Sequence, residues 1–286
     1  MDMDYNFSED LKTIREIIGI SQDRLALELG VQQATLSRSE NSYTDPSEKL
    51  LEAVYEYAFK KNIRINRLKE MLWKENLPAG HKLLFHGAKS EIKGEIDVAF
   101  GRTNNDFGQG FYAGESYEQA VSFVSGFDKS SAYYLDFNPK GLKLKEYNVD
   151  QEWMMTIAYY RGALNDYENH PIVKKIVSKS RDCDYVIAPI ADNRMFQIIN
   201  SFIEGEITDE QCKHCLAATN LGNQYVFISE KSIKNLRMIE RCYVSEVERE
   251  YYKNIRTSDA KLGDDNVKLA RRTYRGQGKY IDEILA

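Results

Sequence analysis

No run of about 18 uninterrupted apolar residues occurs in the chain, so nothing in it reads as a membrane span. The opening MDMDYNFSEDLK is acidic where a secretory signal needs a basic and then an apolar stretch. These absences set the expectation of a cytoplasmic protein with no membrane partner. Cysteine is scarce as well: Cys183, Cys212, Cys215 and Cys242 are the only four in 286 residues, too few for a disulfide framework, which agrees with a reducing compartment. An excess of positive charge is also missing. Lys and Arg total 39 against 44 Asp and Glu, a net charge of -5, which excludes a protein that coats nucleic acid by phosphate neutralisation while leaving local basic patches open. What is present is 42% hydrophobic and 29% charged residues with only 5 prolines, a composition that supports a packed core and excludes wholesale disorder. The length predicts two domains.

Residues 9 to about 60 read as consecutive short helices: EDLKTIREIIGI, SQDRLALELG, QQATLSRSEN and DPSEKLLEAVYEYAFKKN. Ser21 is placed as an N-cap ahead of the apolar positions Leu25 and Leu29, and Gly30 closes that helix where a left-handed residue is wanted. The next helix, near Gln32 to Glu40, is short and polar, with Leu36 as its inward anchor. The stretch LKTIREIIGISQDRLALELGVQQATLSRSEN resembles the helix-turn-helix of the Cro/C1-type, phage repressor-like family over about 50 residues. The resemblance implies that Gln22 meets a DNA phosphate and that Gln32, Gln33, Thr35 and Arg38 reach base edges in the major groove of an operator. Gln suits adenine and Arg suits guanine. Residues 1–60 nevertheless hold twelve Asp and Glu against six Lys and Arg, which keeps open a helical module retained for dimerisation or for docking a partner.

From residue 63 to 78 the pattern Ile63, Ile65, Leu68, Met71, Leu72, with a basic face and Pro78 behind it, predicts a linker helix. Beyond it short apolar runs (HKLLFHGA, AYYLDF, DYVIAPI, QYVFIS) predict strands. Between and after them SYEQAVSFVSGF, DQEWMMTIAYYRGAL, HPIVKKIVSK, NRMFQIINSFI and SEKSIKNLRMI have helical spacing. The expected organisation is an all-α helix-turn-helix domain at 1–62, the linker helix at 63–78, an α+β domain at 79–245 and a charged tail of short amphipathic pieces at 246–286.

Three motifs in the α+β segment occur in the order and spacing of the ADP-ribosyltransferase fold shared by diphtheria toxin and the poly(ADP-ribose) polymerases. LLFHGA resembles that family's L-L-W-H-G-S, with His86 and Gly87 at a strand end. DFGQGFYAGESYEQAVSFV resembles its F-G-K-G-I-Y-F-A-D segment, with Tyr112 on the tyrosine. GNQYVFISEKSIKNL resembles its N-E-Y-I-V-Y strand, with Gln224 in the place of the catalytic glutamate. The resemblance covers roughly residues 80 to 240 and implies an NAD+-binding α+β ADP-ribosyltransferase-like domain. It implies that the backbone of Gly87 pairs with the nicotinamide carboxamide and that His86 bonds the adenine-side ribose. Tyr112 and Phe123 then wall the nicotinamide ring, and Gln224 accepts from the hydroxyls of the reacting ribose. His86, Tyr112 and Gln224 are the residues this assigns to catalysis. A neutral amide lacks a carboxylate's charge for an oxocarbenium-like state, so Glu230, Asp192 or the acceptor is left to compensate, and polymer elongation is disfavoured.

The segment DYVIAPIADNRMFQIINSFIEGEIT, together with D-F-G-x-G-F-Y, resembles a bacterial family of uncharacterised proteins with a transferase-like fold, often encoded beside small partners in toxin-antitoxin fashion. That resemblance implies a cognate antitoxin or small partner protein. Arg194 in this segment is either a clamp for an NAD phosphate or part of a structural ion pair with Asp192. CKHC at Cys212 to Cys215 lacks a second pair of ligands, and no metal is expected. The glycines of DFGQGFY carry no Walker-type Lys-Ser/Thr, which excludes a P-loop hydrolase. The sequence therefore predicts an NAD+-dependent mono-ADP-ribosyltransferase of bacterial toxin type, with NAD+ as substrate and a homodimer or an operator complex as assembly. The alternatives are an NAD glycohydrolase and an NAD-sensing transcription regulator with a degenerate site.

Overall fold

The computed structural model describes residues 5–218 and 221–286, and the elements run along the chain as follows. Five helices come first: α1 (Phe7–Ile18), α2 (Gln22–Leu29), α3 (Gln33–Glu40), α4 (Glu48–Lys60) and α5 (Ile65–Asn76). Then follow β1 (Lys82–Ala88), β2 (Phe111–Gly114), α6 (Tyr117–Val124), β3 (Ser131–Phe137) and β4 (Leu144–Glu146). The chain continues through α7 (Gln151–Tyr160), α8 (Pro171–Arg181), β5 (Tyr185–Pro189), α9 (Asn193–Ile203), α10 (Asp209–Ala217) and β6 (Asn223–Phe227). It closes with α11 (Glu230–Lys234), β7 (Leu236–Cys242), α12 (Glu246–Thr273) and α13 (Ile281–Ile284). An N-terminal helical region is thus followed by an α+β region whose strands are mixed in direction. No helix of the described residues is long and apolar enough to cross a membrane.

Two compact units form from non-contiguous segments: residues 1–94, 116–137 and 238–255 in the first, and 95–115, 138–237 and 256–286 in the second. In the first, β3 lies between β1 and β7, and β1 pairs antiparallel with β3 so that His86 faces Tyr133 and Gly87 faces Ala132. Helix α6 packs on this pair through Tyr117, Ala120 and Val121, with Phe85 and Tyr134 beneath. The helices α1 to α4 enclose a second apolar cluster built on Leu11, Ile14, Leu25, Leu36, Val54 and Tyr55. In the second unit the strand order is β4, β5, β6, β2; β4 and β5 are parallel, and β6 is antiparallel to both its neighbours. Its core gathers Trp153, Met154, Ile157, Val186, Ile199, Phe202 and Val226.

The four predicted strands form as β1, β3, β5 and β6. Three expectations are corrected. The segment at 63–78 is no simple linker: α5 buries Ile65, Asn66, Lys69 and Glu70, while Leu68, Met71 and Leu72 stay 37%, 61% and 56% exposed. Of the apolar positions that mark this helix, Ile63 and Ile65 are buried and the later three are not, because Lys69 is drawn inward between Asp10 of α1 (2.8 Å) and Glu240 of β7 (2.6 Å). The stretch read as one helix at SEKSIKNLRMI breaks after Lys234, and its LRMI enters β7. The charged tail is mainly one helix of 28 residues, α12, rather than several short pieces.

Candidate functional site

The N-terminal interface is built from two short helices and the turn between them. Ser21 caps α2 by accepting from the Arg24 N–H at 3.2 Å, and Gly30, at φ +66°, turns the chain out of α2 through its N–H to Ala26 and Leu27 carbonyls. Leu36 anchors α3 in the core, which leaves Gln32, Gln33, Thr35 and Arg38 exposed along one side. Gln33 Nε2 donates to Gln22 Oε1 at 3.0 Å, so the side chain at the start of α2 and the one at the start of α3 hold each other. Behind them Arg15 grips Glu40 with two donors at 2.5 and 2.8 Å and donates to the Ile20 carbonyl at 3.0 Å. Burial pushes the Glu40 carboxyl up, but Arg15 and Gln22 outweigh it and hold the group below its ordinary range. The pair locks α1 to the end of α3 and fixes the angle at which the exposed side of α3 is presented.

In the second unit, antiparallel β2 and β6 set Tyr112 opposite Val226 and Gly114 opposite Gln224, while Ala188 of β5 lies on the other side of Gln224. Gln224 is only 7% exposed. Its Nε2 donates to Asp106 Oδ2 at 2.7 Å and to the Pro189 carbonyl at 3.2 Å. Both partners are pure acceptors, which assigns the nitrogen to that side and turns Oε1 away from it. Asp106 is itself buried, with Arg161 at 2.5 and 2.8 Å and the Ala191 N–H at 3.0 Å. Burial pushes the Asp106 carboxyl above the ordinary aspartate range, against the pull of Arg161, Gln224 and Ala191, all of which donate to the charged form. Arg161 also donates at 2.5 Å to the Ala191 carbonyl and lies 4.9 Å from the Phe196 ring centroid. Tyr112 is pinned by its hydroxyl, which accepts from the Phe107 N–H at 3.1 Å and donates to the Gly108 carbonyl at 2.8 Å; burial pushes the phenol up. The loop carrying Asp106 is thereby closed onto β2.

The carboxylates expected to compensate for the amide stand elsewhere. Asp192 caps α9, accepting from Arg194 and Met195 N–H at 3.0 and 2.9 Å, and Glu230 is exposed in the first turn of α11. The carboxylate in contact with Gln224 is Asp106, which sequence reasoning missed although it opens the motif DFGQGFY; an acid at the head of an apolar, glycine-rich stretch was the available signal. Arg161 was missed too, as a lone charge ending the apolar helix α7. Arg194 is held through Nη1 by the Ala260 carbonyl at 2.6 Å and by Asp264 at 3.3 Å, in a cleft of about 400 Å³ between α9 and α12.

In the first unit, His86 and Gly87 are half-buried on β1, and Phe123 is 39% exposed on α6. A Cβ on Gly87 would stand 2.3 Å from the Ala120 carbonyl oxygen, so glycine is required there for α6 to seat on β1, whatever ligand its backbone meets. Cys212 and Cys215 are buried in α10, and His214 stacks on Tyr274 with centroids 3.5 Å apart. Among the described residues no three His, Cys, Asp or Glu side chains converge as metal ligands. The ADP-ribosyltransferase resemblance puts the acceptor-presenting loop at LAATNLGN, leading into β6, and two of its eight residues, 219 and 220, lie outside the described residues.

A family model described as a protein of unknown function (DUF3990) matches residues 83–238, more than half of the chain. The chain belongs to the DUF3990 family. A helix-turn-helix model matches residues 11–57, which assigns α1 to α4 to a helix-turn-helix DNA-binding domain. No curated protein and no solved structure matches the chain. The DUF3990 segment contains His86, Gly87, Tyr112, Phe123, Arg194 and Gln224 together with Asp106 and Arg161.

Proposed function

We propose that the DUF3990 segment transfers a single ADP-ribose unit from NAD+ to an acceptor, as a toxin-type effector whose helix-turn-helix binds DNA. The observation that carries this reading is the orientation of Gln224: both donors of its amide are engaged by Asp106 and Pro189, so the group left to meet a ligand is a carbonyl oxygen. An acceptor oxygen is what a ribose hydroxyl requires. In the reaction the bond between ribose C1′ and the nicotinamide nitrogen breaks, and its electron pair leaves with nicotinamide. A nucleophilic atom of the acceptor then bonds C1′ and gives up its proton. Gln224 contributes by holding the ribose hydroxyls as charge builds on the sugar, through a neutral hydrogen bond roughly half as strong as a charge-assisted one. It cannot take a proton, and the nearby carboxylate of Asp106 is occupied by Arg161, which favours single transfer over elongation. The helix-turn-helix then serves either to repress the chain's own operon or to bring the transferase to a nucleic-acid target.

The experiment is incubation of the full chain with radiolabelled NAD+ and separate pools of cell protein, DNA and RNA, following label transfer and nicotinamide release together. Label in one pool is the expected result and names the acceptor class. Nicotinamide release without label replaces transfer by glycohydrolysis. Neither signal, with NAD+ bound in calorimetry, replaces the enzyme by an NAD-sensing regulator, a reading that the amide at position 224 itself favours.

A further inference from the structure

We infer that Asp106 and Gln224 work as one unit, in which Asp106 is a positioning residue that turns the amide oxygen of Gln224 toward the ligand. The inference rests on the reading of Gln224 as the group that meets the ribose. An amide is nearly symmetric in shape, and without a fixed acceptor beside it a glutamine presents either its oxygen or its NH2. Here the choice is made by the 2.7 Å contact with the Asp106 carboxylate, and Asp106 is made rigid in turn by Arg161 at 2.5 Å and by the Ala191 N–H at 3.0 Å. Arg161 is tied to the Ala191 carbonyl, so the carboxylate, the guanidinium and the turn after β5 form a closed frame around the amide. The Pro189 carbonyl adds a second, weaker acceptor on the same side.

The polarity of the pair has a consequence for substitutions. Gln224→Glu alone puts a second carboxylate against that of Asp106 in a buried site, where both cannot remain ionised. It therefore lowers turnover, although it restores a charge to position 224. Asp106→Asn alone leaves one acceptor oxygen where Arg161 takes one carboxylate oxygen and Gln224 and the Ala191 N–H share the other, so an NH2 group is set against a donor and the orientation of the Gln224 amide is no longer fixed. Combining the two re-forms a carboxylate–amide contact with its polarity reversed: the amide nitrogen now at position 106 donates to the carboxylate now at position 224, while the amide oxygen at position 106 keeps the contact with Arg161. The double variant stays below the native chain because the Pro189 carbonyl then faces an acceptor, and the Ala191 N–H, which donates to the same Asp106 oxygen as Gln224, faces the amide nitrogen at position 106.

The test is a double-mutant cycle on the full-length chain, D106N, Q224E and D106N/Q224E, read by nicotinamide release from NAD+ and by urea unfolding. Each single substitution is expected to lower kcat about tenfold or more, with KM for NAD+ within about threefold, and the double variant to exceed both. The kcat of the double variant acquires a titration that the native amide lacks. Native turnover in D106N, or a double variant no better than the worse single one, overturns the inference. If the native chain releases no nicotinamide, the reading of the function fails separately, and the unfolding cycle decides: a double variant more stable than either single one supports the paired unit, and additive losses overturn it. Should D106N not fold, a folded and cooperative D106N/Q224E is the expected result, and an unfolded one overturns the inference.

Discussion

A side chain that reads a base edge must reach solvent, and on α3 Gln33, Thr35 and Arg38 do so while Leu36 holds the helix down. Arg38→Ala is expected to weaken binding to a duplex selected from random sequence by about 1–3 kcal/mol and to relax the preference at one base pair, read by fluorescence anisotropy. An equal loss on every duplex would make Arg38 a phosphate contact instead. Tyr112 illustrates how one residue carries two roles that a truncation to alanine would confuse. Its hydroxyl closes the loop from Phe107 to Gly108, whereas any ligand contact belongs to the ring. Tyr112→Phe should therefore cost about 1–2 kcal/mol of stability with NAD+ affinity unchanged, and Tyr112→Ala should lower both. Unfolding curves and calorimetry on the two variants separate the roles.

Helix α5 shows how partners on neighbouring elements override the pattern of an element taken alone. Its apolar residues Leu68, Met71 and Leu72 lie outside, and Lys69 is buried among Asp10, Glu240 and the Trp73 that also donates to Glu240 at 2.8 Å. Burial pulls the Lys69 ammonium down, but the two carboxylates outweigh it and hold it charged; Asp10, which also accepts from Tyr55, is pushed up by burial. Lys69→Met leaves two carboxylates buried without their cation, and a loss of about 3–5 kcal/mol at neutral pH is expected. The loss should shrink on acidification as Asp10, already pushed up by burial and raised further without the Lys69 charge, takes up a proton, so urea midpoints of the variant and the native chain should converge as the pH falls. A penalty independent of pH would assign the effect to packing of the lysine stem.

At the scale of the whole molecule, the first compact unit joins the helix-turn-helix to β1, α6, β3 and β7, so its folding draws on groups far apart in sequence. Glu248 of α12 is buried in that unit, accepting from Tyr117 at 3.1 Å and Asn66 at 3.4 Å. Burial, only partly offset by Tyr117 and the Arg64 charge, pushes its carboxyl up from 4.5 to about 7. A raised carboxyl gives stability that is complete below the unfolded value and lost as pH rises through the folded one. The loss attributable to Glu248 is on the order of 3 kcal/mol between about pH 4.5 and 7. Glu248→Gln should flatten the dependence of unfolding free energy on pH across that window; an unchanged slope would remove Glu248 as its source.

The sequence by itself determined the elements whose signals are local. Ser21 and Gly30 marked the ends of α2 through backbone groups a few residues away, and the apolar runs marked β1, β3, β5 and β6 because a buried strand needs little more than its own composition. It also brought Gln224 into view as a candidate. The tertiary structure alone decided which way the amide points and which carboxylate touches it, since Asp106 is 118 residues distant in the chain. It alone decided the buried face of α5, and that His86, Gly87 and Phe123 fall in one compact unit while Tyr112, Arg194 and Gln224 fall in the other. The physical reason is common to all three: a buried charge or amide takes its orientation from partners, and partners distant in sequence leave no period in the chain to be read.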